Sequence, residues 1–236
     1  MKFAVITHKK HLKKNGVYYS YAPYVREMNL WFQHVDEVLV VGTFGSEKPG
    51  AIDLPYRAKQ LGFRRVPDFD VLGIQSVFKT LTLLPSVLKV IYKTMQDADH
   101  IHLRCPGNMG LLGVLVQVFF PHKPKTAKYA GNWKPGAKQP RSYRFQKWIL
   151  SNTFLTKNMQ VIVYGDWPKQ SPNVKAFFTA TYTEKDKTEI PRRKYDLPLR
   201  FLFVGSLSPG KQPVYALELV AELIERGFPS ELHVYG

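Results

Sequence analysis

Residues 200–236 read RFLFVGSLSPGKQPVYALELVAELIERGFPSELHVYG. An apolar run, Arg200–Val204, leads into Gly205. A turn with Pro209, Gly210 and Lys211 follows, then a helical pattern, then a second apolar run at Glu231–Tyr235. Val214, Leu217, Ala221 and Ile224 recur at helical spacing, with Val220 beside them; Glu218, Glu222, Glu225 and Arg226 take the other side, and Gly227 suits a C-terminal cap. The stretch therefore reads as strand, turn, helix, strand. A unit this small cannot bury its own faces. It predicts the opening of an α/β domain, with the chain ending inside it.

The same alternation runs upstream. Apolar, β-branched runs at Lys2–Thr7, Asp36–Gly42, Asp99–Arg104, Lys125–Ala130 and Met159–Tyr164 read as strands buried on both faces. Helical patterns lie between them. Val17, Tyr21, Tyr24, Val25, Met28 and Phe32 predict a first helix capped by Ser20, with Pro23 in its first turn. Further helices are predicted after Pro85 (Val87, Leu88, Ile91, Met95), over Met109–Phe119, and over Ser142–Leu155. Strands alternating with helices predict parallel sheets. The charged, proline-bearing segment TEKDKTEIPRRKYDLPL has no usable apolar period and reads as a linker. The expected organisation is residues 1–182 as an N-terminal domain, 183–199 as linker and 200–236 as the start of a C-terminal domain.

Composition narrows the class. The chain has 236 residues, of which 44% are hydrophobic and 22% charged, a globular balance. Cys105 is the only cysteine, so no internal disulfide is possible. No signal peptide or membrane-length apolar run is present, which predicts a cytoplasmic protein. The net charge of +16 is clustered. Lys2, Lys9, Lys10, Lys13 and Lys14 fall in residues 1–25 without an acid; Lys123, Lys125, Lys128, Lys134, Lys138, Arg141, Arg144 and Lys147 fall in 121–147, again without one. Such clusters attract polyanions: nucleic acid, a phosphorylated substrate, or an anionic membrane on whose inner face the protein would lie peripherally. The alternative is a basic face that only keeps the protein soluble.

Three turns after strands carry the candidate chemistry. The first holds Asn15 and Gly16 among lysines and histidines. A glycine loop between strand and helix is how α/β proteins offer backbone N–H groups to phosphate, although Gly16 alone also suits an ordinary turn. The second, HIHLRCPGNMG, puts Arg104, Gly107 and Asn108 at a strand's carboxyl end, where open parallel sheets gather ligands. His100 and His102 read as strand residues with satisfied hydrogen bonds. The third, FVGSLSPGKQP, sets Lys211 just before a helix, where it would grip a diphosphate together with the helix terminus. The histidines and Cys105 form no metal-ligand spacing, so no metal is expected. Neither a Walker phosphate loop nor a Gly-x-Ser-x-Gly elbow occurs.

These motifs resemble one family. Residues 203–236 are similar to the start of the C-terminal domain in retaining GT-B glycosyltransferases of the family-4 kind (glycosyl transferases group 1). The first loop with Gly16, the DADHIHLRCPGNMG segment and the KYAGNW strand end resemble the same family, particularly bacterial enzymes of cell-surface polysaccharide synthesis. The resemblance implies a GT-B-like fold. An N-terminal Rossmann-like domain would hold a glycan or lipid-linked acceptor, and the first βαβ unit of a second Rossmann-like domain would hold the nucleotide sugar. It implies a hexosyltransferase-type enzyme with retention and no cofactor or metal. Arg104 and Lys211 would be catalytic. Gly16, Gly205, Ser206 and Lys211 would meet the donor, and Asn15, Gly107 and Asn108 the acceptor. Ser206 departs from the family's arginine, and Arg104 stands where a histidine is frequent. The paired glutamates that grip the donor fall past the second strand of that domain, so residues 200–236 are expected to be an incomplete donor domain, inactive in transfer by itself. The alternatives are a non-catalytic glycosyltransferase-like scaffold, and a basic nucleic-acid-binding protein. The second lacks any readable RNA-recognition, KH or zinc-finger signature, so no specific nucleic acid is expected.

Overall fold

The computed structural model describes residues 1–67, 74–178, 184–192 and 195–236, with the side chains of 74–81 outside the description. The chain divides into two compact units, Met1–Thr183 and Glu184–Gly236.

The first unit contains β1 (Lys2–Lys14), β2 (Val17–Tyr21), α1 (Ala22–Phe32), β3 (Glu37–Phe44), β4 (Asp53–Pro55), β5 (Gln60–Arg65), α2 (Ile74–Asp97), β6 (His100–Cys105), α3 (Asn108–Val116), β7 (Lys125–Tyr129), α4 (Arg141–Ser151), β8 (Met159–Val163) and β9 (Val174–Ala176). Among the described residues these strands form one nine-stranded sheet. Its parallel part runs β5-β3-β1-β6-β7-β8-β9, and β2 and β4 add an antiparallel ribbon on the extension of β1. Counting only the parallel strands in chain order, the spatial order is 3-2-1-4-5-6-7, that of a Rossmann-like doubly wound sheet. Phe3, Val5, Val38 and Val40 meet Tyr24, Val25, Met28 and Phe32 of α1 on one face. Ile6, Val41, Ile101, Leu103 and Val161 meet Ile91, Met95, Leu112 and Ile149 of α2, α3 and α4 on the other. Each such fully buried side chain contributes about 1.5–3 kcal/mol over leaving it in water.

Two expected elements differ. Val17–Tyr21 is strand β2, not helix, and Ser20 caps nothing; its hydroxyl donates to the Lys10 carbonyl oxygen at 2.8 Å. The reason is the Asn15–Gly16 pair. Both residues have positive φ (50° and 80°), which makes a two-residue hairpin turn, and the β-branched and aromatic run behind it pairs back on β1. The second expected helix starts well before Pro85, which lies inside α2. A proline removes one N–H···O bond but need not end a helix whose neighbouring turns stay packed.

The second unit holds β10 (Leu199–Val204), α5 (Pro213–Glu225) and β11 (Ser230–Tyr235), with β10 and β11 parallel. The helix lies where the periodicity put it, but its inward side differs. Val220 is buried and Ala216 and Leu223 are half-buried, whereas Val214, Leu217, Ala221 and Ile224 face outward. Among the described residues no helix is long and apolar enough to cross a membrane.

Candidate functional site

In a doubly wound sheet the chain leaves the centre in opposite directions from two neighbouring strands, which opens a crevice at their carboxyl ends. Here those strands are β1 and β6. β1 carries an irregularity at this point. Ile6 pairs with Val41 and Lys10 with Thr43, so Thr7, His8 and Lys9 bulge from the ladder. After β6 the chain turns through Pro106 and Gly107 into α3. A pocket of about 270 Å³ lies here, lined by His8, Thr43, Pro106, Gly107, Asn108, Met109 and Tyr143. No side chain caps α3, so its first turn meets the pocket with unclaimed amides. Gly107 has φ 144°, and a Cβ there would stand 3.2 Å from the His8 ring, so the glycine is what lets His8 rest against the turn. Partial burial, then the positive charges of Lys9 and Arg104, push the His8 pKa down to about 4, against a hydrogen bond to the Arg104 backbone. His8 is therefore neutral at pH 7. Burial and Arg104 also lower the Lys9 ammonium.

Behind this turn lies a buried ionic trio. Arg104 on β6 and Lys128 on β7 are register partners, so both side chains leave the same face of the sheet. Like charges so placed repel. Glu27, on the inner side of α1, lies between them: its Oε2 accepts from Arg104 Nη1 at 3.0 Å and stands 2.7 Å from Lys128 Nζ. Lys128 is only 1% exposed, and Glu27 and Arg104 are buried too. The Arg104 guanidinium lies 5.3 Å from the Tyr24 ring centre, and Lys128 Nζ 5.0 Å from that of Phe177. Arg104 Nε and Glu27 Oε1 are buried without a hydrogen-bond partner. Glu27 thus holds two cations where water is scarce and charge interactions are strong.

Gly107 and Asn108 are thus brought together at the pocket, whereas Arg104, on the strand that leads into it, is buried against Glu27 and Tyr24 and does not line it. Asn15 and Gly16 do not line it either: they form the hairpin tip. His100 and His102 share the Thr126 hydroxyl at 3.1 and 2.8 Å, as strand residues should, although His102 Nε2 has no partner. Burial first, then Arg104, His100 and Lys128, lower the His102 pKa to about 3. Glu27 and Lys128 escaped the sequence reading. Their signal was a charge set inside an apolar pattern: Glu27 amid Tyr24, Val25 and Met28, and Lys128 inside a buried strand. Lys125 is buried as well and donates to the Phe120 carbonyl oxygen at 2.8 Å, so two of the eight cations in 121–147 are not surface charges.

In the second unit, Gly205, Ser206 and Lys211 do converge. The Lys211 stem lies 3.9 Å from where a Cβ on Gly205 would stand. Ser206 and Ser208 hydroxyls are 3.2 Å apart, and Lys211 ends a short 3₁₀ turn, Pro209–Lys211, ahead of α5. All of these positions except Ser208 and the half-buried Gly205 are exposed.

A wider pocket, about 510 Å³, lies at the amino ends of β7 and β8, lined by His122, Thr156, Asn158 and Asn173 among others. Parallel sheets bind ligands at the other end, and the buried cation beside this pocket, Lys125, is already engaged with the Phe120 carbonyl oxygen, so the smaller pocket is the stronger site. Among the described residues no group of three His, Cys, Asp or Glu side chains is placed to hold a metal ion. The chain matches no known family model and no curated protein.

Proposed function

We propose that this chain serves sugar transfer, as a retaining, metal-independent glycosyltransferase of the GT-B kind. It would move a hexose from a nucleotide sugar to a glycan or lipid-linked acceptor in cell-surface polysaccharide synthesis. The first unit takes the acceptor side and the second the nucleotide-sugar side. The observation that carries the reading is the pocket at the β1–β6 switch point with the Glu27–Arg104–Lys128 trio behind it. In such a transfer the bond from the anomeric carbon to the diphosphate oxygen breaks. The acceptor oxygen bonds to the same face of that carbon, and its proton passes to the diphosphate. Negative charge gathers on the leaving phosphate. A cation already held in a low-dielectric surround stabilises that charge without reorganising. Arg104 is such a cation, and a guanidinium suits phosphate geometry. Neutral His8 is able to accept a hydrogen bond from an acceptor hydroxyl, with Gly107 and Asn108 orienting it. Lys211 and Ser206 would meet the donor diphosphate.

The exposed setting of Ser206 and Lys211 favours a second reading, a non-catalytic scaffold that binds the same ligands without turnover. The test is acceptor-dependent release of nucleoside diphosphate from a panel of nucleotide sugars by the protein that carries this chain. Release is expected with at least one sugar. Arg104→Gln, which keeps the Glu27–Lys128 pair, should lower it by about 100-fold or more while leaving circular dichroism unchanged. Binding without release supports the scaffold. Failure to bind any nucleotide sugar contradicts both readings.

A further inference from the structure

Helix α4 has two unlike sides. Gln146, Ile149 and Leu150 are buried. On the opposite side Arg141, Arg144, Phe145 and Trp148 are exposed at i, i+3, i+4 and i+7, which makes one stripe. Phe145 is 45% and Trp148 59% exposed, and the two rings stack with centroids 5.9 Å apart and planes 13° from parallel. Just past the helix, Asn152 Oδ1 accepts from the backbone N–H groups of Phe154 at 3.0 Å and Leu155 at 3.1 Å. That turn leaves Phe154 76% exposed, with Lys157 Nζ 5.3 Å from its ring centre.

The charge around these rings has one sign. Residues 100–165 contain ten Lys and Arg and no Asp or Glu. Arg104, Lys125 and Lys128 are buried, but Lys134, Lys138, Arg141, Arg144 and Lys157 are exposed. Exposed aromatic side chains among unpaired-sign cations complement a surface that is anionic outside and apolar just beneath. We propose that the α4 face docks on an anionic lipid bilayer. Phe145, Trp148 and Phe154 enter the boundary between headgroups and acyl chains, and the five exposed cations meet lipid phosphates. Phe145 and Trp148 lie against each other, so no slot separates them to receive a nucleobase; a bilayer takes the stacked pair as one wedge. This docking does not depend on sugar transfer.

The test is flotation of the whole chain with vesicles of phosphatidylcholine alone and of phosphatidylcholine mixed with phosphatidylglycerol, at low and physiological salt. Binding is expected only to the mixed vesicles, and it should weaken as salt rises. Each surface cation is worth about fivefold in partitioning and each inserted ring about tenfold. Phe145→Ser with Trp148→Ser should therefore lose about 100-fold, and Arg141→Glu with Arg144→Glu at least as much, with circular dichroism unchanged. Trp148→Phe should keep binding but lose the vesicle-induced blue shift in tryptophan emission. Equal binding to neutral vesicles, or undiminished binding of the folded double variants, overturns the proposal. So does capture of a single-stranded oligonucleotide, abolished by the same substitutions, without vesicle binding.

Discussion

The pairs β6–β7 and β10–β11 begin from similar sequence and end in different surroundings. Both are parallel and rich in apolar residues. In the first pair, Ile101–Cys105 and the whole of Lys125–Tyr129 are buried, because helices cover both faces of the sheet. In the second, α5 covers one face, and Leu202 and Val204 on the other are 65% and 72% exposed. Parallel strands are normally covered on both sides. The difference bears on chemistry. Arg104 and Lys128 are fixed by packing, ring contacts and a shared carboxylate, whereas Lys211 stands on an exposed turn. Preorganised charge therefore belongs to the first unit.

The largest expected effect breaks that contrast at its ionic centre. Glu27→Gln removes the only carboxylate of the trio and leaves two buried cations facing each other, which costs about 3–5 kcal/mol. Glu222→Gln removes an exposed helix pair with Arg226 and should cost less than about 0.5 kcal/mol. Thermal melting should show a fall of about 10 °C or more for the first and next to none for the second. Comparable shifts would mean that the trio is not as enclosed as its burial indicates.

A smaller effect sharpens the same contrast through pH. Burial lowers the pKa of His11 from 6.5 to about 4, against a hydrogen bond to the Thr43 backbone, and that of His102 to about 3. The folded state holds both rings neutral. As pH falls below about 6.5, the unfolded chain binds protons that the folded chain cannot. Their stabilisation is fully present above that pH and is lost progressively down to the folded pKa values, by about 3 kcal/mol for His11 and about 5 kcal/mol for His102. Denaturant melts of the first unit should weaken steadily from pH 7 to pH 4. Constant stability over that range would contradict the burial of these rings.

How far the sequence carried the reading depended on where each residue's partner lies. The strands at 2–7, 36–42, 99–104, 125–130 and 159–164 are legible because both faces are buried, so apolar and β-branched residues recur along them even where 99–104 and 125–130 also carry charged or histidine side chains. Gln60–Arg65 is not: it carries Gly62, Arg64 and Arg65 and is only half-buried at the sheet's margin, so its apolar signal is weak. The strands at Asp53–Pro55 and Val174–Ala176 are too short to show a period. Asn15–Gly16 carries a hairpin signal, but the aromatic residues after it also fall at helical spacing, so the periodicity alone points to a helix. Of the candidate site, Gly107 and Asn108 are legible from their place after a strand, and Arg104 from its place at that strand's carboxyl end. Glu27 and Lys128 are not, since only the register of β6 against β7 and the packing of α1 bring them to Arg104. The inward side of α5 is not legible from its sequence because both sides of that helix carry apolar residues.

The central claim is that the switch-point pocket of the first unit handles an anionic substrate. The most direct test is a titration of the ¹⁵N-labelled protein with inorganic pyrophosphate, followed through backbone amide shifts. The account predicts saturable shifts at His8, Gly107, Asn108 and Met109 that Arg104→Gln abolishes. A folded wild-type chain whose shifts fall only at Ser206–Lys211, or diffusely along its exposed lysines, would contradict it.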